Sequence, residues 1–263
     1  MIKLELYFLP VLKKIISRAS HQEVNKIFFI LSSIIILLFT ATLSYANTPY
    51  LSMGFGTGLA KVGHAQYYSP ASGLMHYYGA DSKREVVAPL ISLGAGYRFD
   101  MKNHSYASLD IEVDYINYGD PKARLHPGVN MDPDFDRLSY SYSAESYLLM
   151  LKGSWEFGDH NWLPYVSLGL GLSFNQLGNY SEGTDSTAAP ARNLYKRNIT
   201  QDTGYSIGVG LYRYNLKNNI DLTLSYRFIY SGNAYLKNPV SGNNAISSGV
   251  LDGHFITLSI NIF

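Results

Sequence analysis

The residues best suited to chemistry are a histidine and several aspartates. Asp252-Gly253-His254 puts a carboxylate and an imidazole two positions apart, on one face of an extended strand. Asp132, Asp134 and Asp136 could supply the acidic partners that activate a water. Asp132-Pro133-Asp134 reads equally well as a solvated turn. Neither His126 nor His254 has a serine nucleophile beside it, and His64, His76, His104 and His160 lack metal-ligand spacing. There is no cysteine, which excludes thiol catalysis, a disulfide scaffold and a Cys-ligated metal. Gly54-Phe55-Gly56-Thr57-Gly58 is followed by no helical pattern, so it is not a dinucleotide loop. Asn198-Ile199-Thr200 fits a glycosylation acceptor only by chance. No cofactor and no metal are expected, and a formal charge of +1 gives no basic field for nucleic acid.

The elements that would position these residues fall into two parts. Lys26 is followed by an apolar run from Ile27 to Leu43 and then by Ser44-Tyr45-Ala46, the layout of a secretory signal with a small-x-small cleavage site. Residues 1–46 are therefore expected to be a signal peptide, the alternative being a retained membrane anchor. Val24 could serve as a bacterial start, which would make residues 1–23 an over-extended gene start. Five of the 21 basic and two of the 20 acidic residues lie before residue 47, so residues 47–263 carry a net charge of −2.

Beyond residue 46 the dominant period is two. Leu109, Ile111, Val113 and Tyr115 alternate with Ser108, Asp110, Glu112 and Asp114, giving one oily and one acidic face. The same alternation begins at Leu51, Ile91, Tyr147, Val166, Tyr205, Ile220 and Ile256, which makes eight strands of roughly ten residues, enough for a tilted bilayer crossing. The segment from Leu148 to Glu156 opposes a more apolar set, Leu148 and Met150, to the usual small residues. Short turns at 101–105, 158–162 and 216–219 alternate with long polar segments near 62–85, 119–142, 176–202 and 231–252. This alternation of connections belongs to membrane barrels.

The polar faces are crowded with Gly and Ser, which suits the cramped centre of an eight-stranded barrel. Arg98, Lys152 and Arg227 could meet Asp110, Glu112, Asp114, Glu156 and Asp221 there, because buried charges are tolerable when paired. The alternative is that these residues face water on an open sheet. Charged residues are only 16% of the chain, below the roughly 25% of soluble domains. The lumen is favoured because the opposite face is apolar throughout and must also be covered. Tyr50, Tyr97, Trp155, Trp162 and Tyr226 suit interfacial aromatic girdles.

Trp162-Leu163-Pro164-Tyr165-Val166-Ser167-Leu168-Gly169-Leu170-Gly171 resembles the fifth strand of the small outer-membrane barrels of the OmpA transmembrane-domain, OmpX and opacity-protein type. Gly208-Val209-Gly210-Leu211 and Leu222-Thr223-Leu224-Ser225-Tyr226-Arg227-Phe228 resemble the strand pair that follows. A terminal Phe263 resembles the signal read by the barrel-assembly machinery. Here, however, Phe263 shares its face with Asn261, Ser259 and Thr257, so either the last residue kinks or the final strand is shifted by one. The resemblance covers residues 48–263. It implies an all-β, eight-stranded antiparallel up-and-down barrel in the bacterial outer membrane, with both termini periplasmic and the long loops extracellular. Asp252 and His254 also resemble part of the omptin protease site, although omptins have ten strands. The His-Tyr-Ser of lipid A deacylases is absent.

The loops hold the remaining candidates for function: Tyr67, Tyr68, Tyr77 and Tyr78, then Arg124 and Arg137, then Tyr195 and Arg197. Tyr and Arg are enriched at binding hot spots, and loops on rigid scaffolds carry function. The same tyrosines could instead cover the barrel mouth. The expectation is a non-enzymatic surface barrel with a structural or adhesive role, its partners being outer-membrane lipid, the barrel-assembly machinery and host surface molecules. The alternatives are a narrow porin-like channel and a rim-located lipid-modifying enzyme or protease.

Overall fold

The computed structural model describes residues 47–68, 76–79, 85–101, 105–126, 138–158, 162–184, 195–217, 219–238 and 244–263. Residues 1–46, with the expected signal peptide, lie outside them. Eleven strands are present among the described residues: β1 (Asn47–Lys61), β2 (Gln66–Tyr68), β3 (His76–Tyr78), β4 (Glu85–Met101), β5 (Ser105–Asn117), β6 (Lys122–His126), β7 (Leu138–Phe157), β8 (Trp162–Thr184), β9 (Asn198–Lys217), β10 (Ile220–Lys237) and β11 (Asn244–Ile262).

Eight of them close a ring. The order β7-β5-β4-β1-β11-β10-β9-β8 is sealed by pairing of β7 with β8, from Glu156↔Tyr165 to Leu138↔Thr184. The paired strands run antiparallel, and β1 meets β11 from Leu51↔Ile262 to Lys61↔Asp252, so the first strand starts and the last strand ends at one rim. That rim also carries the short turns. β9 ends at Lys217, which pairs with Ile220 at the start of β10, and Asn219 takes φ 65°, as tight hairpin turns favour.

The strands run to 15–23 residues in β1, β7 and β8, longer than the periodicity suggested, and they extend far into the long segments. The alternation there is broken by bulges and tyrosines, which hides the strands from a period-two search. One bulge lies near Gly232, whose φ is 82°, and the Asp202 carboxylate fills the space a side chain would need, 2.3 Å from an added Cβ. Asp202 accepts the Asn233 N–H there at 2.9 Å. Gly171 answers a different demand: a Cβ would fall 1.9 Å from the Leu149 carbonyl oxygen, so only glycine lets these backbones approach inside the ring.

At the far rim, β2, β3 and β6 widen the ring into a collar, an addition the period-two reading missed. The order β2-β3-β6-β7 joins it on one side. On the other side Gln66 imitates a strand partner: its Nε2 donates to the Ser247 carbonyl at 2.8 Å and its Oε1 accepts the Ser247 N–H at 2.9 Å. The backbone bridge between Lys196 and Lys237 extends the wall further.

The hydrophobic pattern is inverted relative to a soluble protein. Leu168, Leu170 and Ile256 are 66%, 64% and 63% exposed, while Asp110, Asp114 and Glu156 are buried. The exposed apolar residues form a band around the ring, far larger than the patches that water-soluble monomers tolerate. Strands can present such a band to lipid because ring closure leaves no unpaired edge.

Candidate functional site

The centre of the ring is layered. Nearest the short turns lies an aromatic cradle around Arg98. Its guanidinium sits 4.0 Å over the Tyr106 ring and 4.8 Å from Tyr212. The Phe263 ring lies 5.9 Å from it and 5.5 Å from Tyr50. Phe263 therefore keeps the register of β11 and turns inward; neither a kink nor a strand shift is needed. Tyr50, expected in an outer girdle, belongs to this interior, because its parity on β1 matches Ser52 and Gly54 rather than Leu51.

Above the cradle the charges form two alternating chains. In the first, Glu156, Arg98 and Asp221 follow one another, with contacts of 2.5 and 3.2 Å. In the second, Asp110, Lys152, Glu112, Arg227 and Asp114 alternate in sign. Lys152 lies 3.3 Å from Asp110 and also pairs with Glu112. Arg227 lies 2.7 Å from Glu112 and 2.8 Å from Asp114. Both chains end in carboxylates, and three of the four ends gain a hydroxyl donor. Tyr50 donates to Asp110 at 2.8 Å, Ser92 to Asp114 at 2.5 Å and Tyr212 to Asp221 at 2.6 Å. These bonds offset part of the desolvation of the ends.

The three acids of β5 reach one face because they occupy positions 110, 112 and 114. All eight charged residues read from the sequence thus stand together, with 17% exposure for Lys152 and less for its acidic partners. A cavity of about 50 Å³ remains beside them, room for a few waters. Among the described residues no group of three or more His, Asp or Glu is arranged to hold a metal.

The next layer is apolar, which the sequence signalled only at Leu148 and Met150. Leu90, Ile116, Leu148, Ile229 and Phe255 are fully buried in one continuous core with Tyr118. A small polar knot crosses it: Asn175 receives the Ser146 hydroxyl at 2.5 Å and donates to the Ser231 carbonyl. At the collar, tyrosines close the mouth. Tyr78 and Tyr195 share a hydrogen bond of 2.8 Å, and the Tyr180 ring stands edge-on to Tyr195 at 4.9 Å. Burial pushes the Tyr78 and Tyr180 hydroxyls far above the usual phenol range, so both remain donors.

The loop candidates separate accordingly. Tyr78 and Tyr195 are buried against each other and offer nothing to a partner, a correction to their reading as contact residues. Tyr77 is half-buried in β3. Tyr67 and Tyr68 lie on β2 opposite Tyr77 and His76, and Arg124 lies on β6 opposite Ser139. Arg197 is exposed and donates to Gln176, which in turn bonds Glu145. Arg137 falls outside the described residues, as do Asp132, Asp134 and Asp136. His254 does not face a mouth: it projects outward from β11, with Tyr226 Oη 2.6 Å from its Nδ1. The outer rings sit where girdles should. Trp155 stacks on Phe157, Arg213 covers Trp162, and Tyr205 stacks on Tyr230 at 4.7 Å.

Oily outside, filled inside and closed by hydrogen bonds, this ring is a small integral β-barrel of an outer membrane. The family described as outer membrane protein beta-barrel domain matches residues 33–261, and the chain belongs to it. No curated protein matches the chain. Among solved structures it is similar to Neisserial surface protein A, at 12% identity over 82% of this chain and 98% of that one, with a TM-score of 0.44. The outer membrane protease OmpT of Escherichia coli gives 11% identity, 85% and 99% coverage and a TM-score of 0.46. Ail, the attachment invasion locus protein of Yersinia pestis, gives 11%, 83% and 99%, with 0.36.

Proposed function

We propose that the protein is a non-enzymatic surface barrel, a rigid stub that displays its collar and long connections to the outside of the cell and contacts host or environmental molecules there. The observation that carries this reading is the filled interior. Cradle, charge chains, apolar layer and tyrosine cap follow one another along the axis, which leaves the loop rim as the surface free for a partner. In this reading the short turns and both termini face the periplasm, the segment 1–46 directs export, and the assembly machinery reads the end of β11. The eight lumenal charges hold the scaffold together, and Tyr67, Tyr68, Tyr77, Arg124, Arg137 and Arg197 are the contact candidates.

Shortening the connections at 69–75, 127–137, 185–194 and 239–243 and replacing Tyr67, Tyr68, Tyr77, Arg124 and Arg197 with alanine should lower binding of whole cells to the purified barrel by about tenfold or more, the loss expected when hot-spot residues go. Unchanged binding in a plate or pull-down assay would leave only a structural role.

The channel alternative makes the opposite forecast for conductance. The barrel reconstituted in a planar bilayer should show no stable ion current, because among the described residues the apolar layer around Phe255 and the hydrogen-bonded side chains that cross it are buried and fill the ring. Large, steady currents would reinstate the pore. The protease or lipid-modifying alternative rests on His126 and His254, and the His254 ring is turned outward beside Tyr226.

A further inference from the structure

His254 stands in an unusual place for a histidine. Its neighbour across β1 is Leu59, 53% exposed, and the next outward residue on β11 is Ile256, 63% exposed, both part of the lipid-facing band. On the other side its ring lies 5.1 Å from Phe228 and nearly parallel to Tyr226, at 5.9 Å and 19°. The 2.6 Å contact joins the Tyr226 hydroxyl to Nδ1. When that hydroxyl donates, Nδ1 is the acceptor and the proton of the neutral ring sits on Nε2. An N–H donor directed at acyl chains would lack a partner, at a cost of several kcal/mol. One step further toward the collar the outward row turns polar: Lys61 stands opposite Asp252, and Tyr230 lies on Asp252's other side. Lys61 is exposed. The outward row thus changes from apolar to polar side chains at the level of His254.

We propose that the outward face of β1, β11 and β10 at this boundary binds the phosphate of a lipid headgroup. His254 Nε2–H and the Lys61 ammonium are the donors, and Tyr226 is the positioning residue that fixes the imidazole tautomer. The face is continuous with the lipid band, so the acyl chains of the same lipid lie over Leu59 and Ile256. Asp252, facing Lys61, tempers its charge, so recognition depends on donor geometry more than on long-range attraction, and weak salt dependence follows. This site is separate from the loop rim, and its failure would leave the adhesive reading untouched.

The test uses the full barrel in a sugar-based detergent that carries no phosphate. It is titrated with short-chain phosphatidic acid, with diacylglycerol of the same chains, and with inorganic phosphate. Native mass spectrometry counts the bound lipid, and the nitrogen resonances of the His254 ring report the contact. One phosphatidic acid should be retained per barrel and diacylglycerol should not, with a shift at Nε2. H254F should weaken retention by about tenfold and K61M by a smaller factor, the range expected for lost charge-assisted hydrogen bonds. Y226F should weaken it as well, with ring signals showing both tautomers, which a merely structural role for Tyr226 would not produce. Folding of each variant is checked by the retained heat-dependent gel shift of the barrel. Equal retention of diacylglycerol, undiminished binding by folded H254F, or an Nε2 shift as large with inorganic phosphate alone would each overturn the proposal.

Discussion

Replacing Arg227 with methionine should destabilise the barrel by about 3–5 kcal/mol, the cost of stranding a buried partner's charge. Arg227 bridges Glu112 and Asp114, on the neighbouring positions of β5 that face the lumen. Without it, a chain of five alternating charges becomes Asp110, Lys152, Glu112 and an isolated Asp114 that keeps only the Ser92 hydroxyl. Urea titration in lipid vesicles, followed by the fluorescence of Trp155 and Trp162, measures the change. The double variant Arg227→Met with Asp114→Asn should recover part of the loss, because it removes the stranded charge. A single variant as stable as the parent would mean that these groups are solvated and the centre is open to water.

Phe255→Ala should cost a similar amount, about 3–5 kcal/mol, while Phe55→Ala should cost well under half as much. The two phenylalanines are alike in the sequence and opposite in the fold. Phe255 is fully buried in the apolar layer, where its loss leaves a cavity that the surrounding strands cannot close. Phe55 is 56% exposed on the outer band, where acyl chains move into the vacated space. The same urea titration compares them. Equal effects, or a larger one at Phe55, would invert the assignment of faces on which the whole architecture depends.

The contrast between these residues also marks how far local pattern reaches. Period two told which residues share a face on each strand, because side-chain alternation is a property of the extended backbone itself. It separated Asp110, Glu112 and Asp114 from Leu109, Ile111 and Val113, and the small residues of the polar face told which side was cramped. It failed where that logic weakened. Tyr50 was assigned outward because it is aromatic, although its parity placed it inside. Phe255 stands inside although the small residues beside it mark the cramped face, since nothing local distinguishes an apolar layer in the lumen from one in lipid. β2, β3 and β6 escaped notice because three to five residues show too few alternations to read.

Residue order alone thus determined the strand count of the ring, the two faces of each strand and the set of charges meant for the interior. Only the closed tertiary structure decided who pairs with whom: that Arg98 takes Glu156 and Asp221, that Lys152 and Arg227 share Glu112, that Tyr78 and Tyr195 seal the mouth. The reason is geometric. A strand fixes its own alternation, but which side chains stand at the same height across the lumen depends on the stagger of eight strands around a ring, and ring closure sets that stagger.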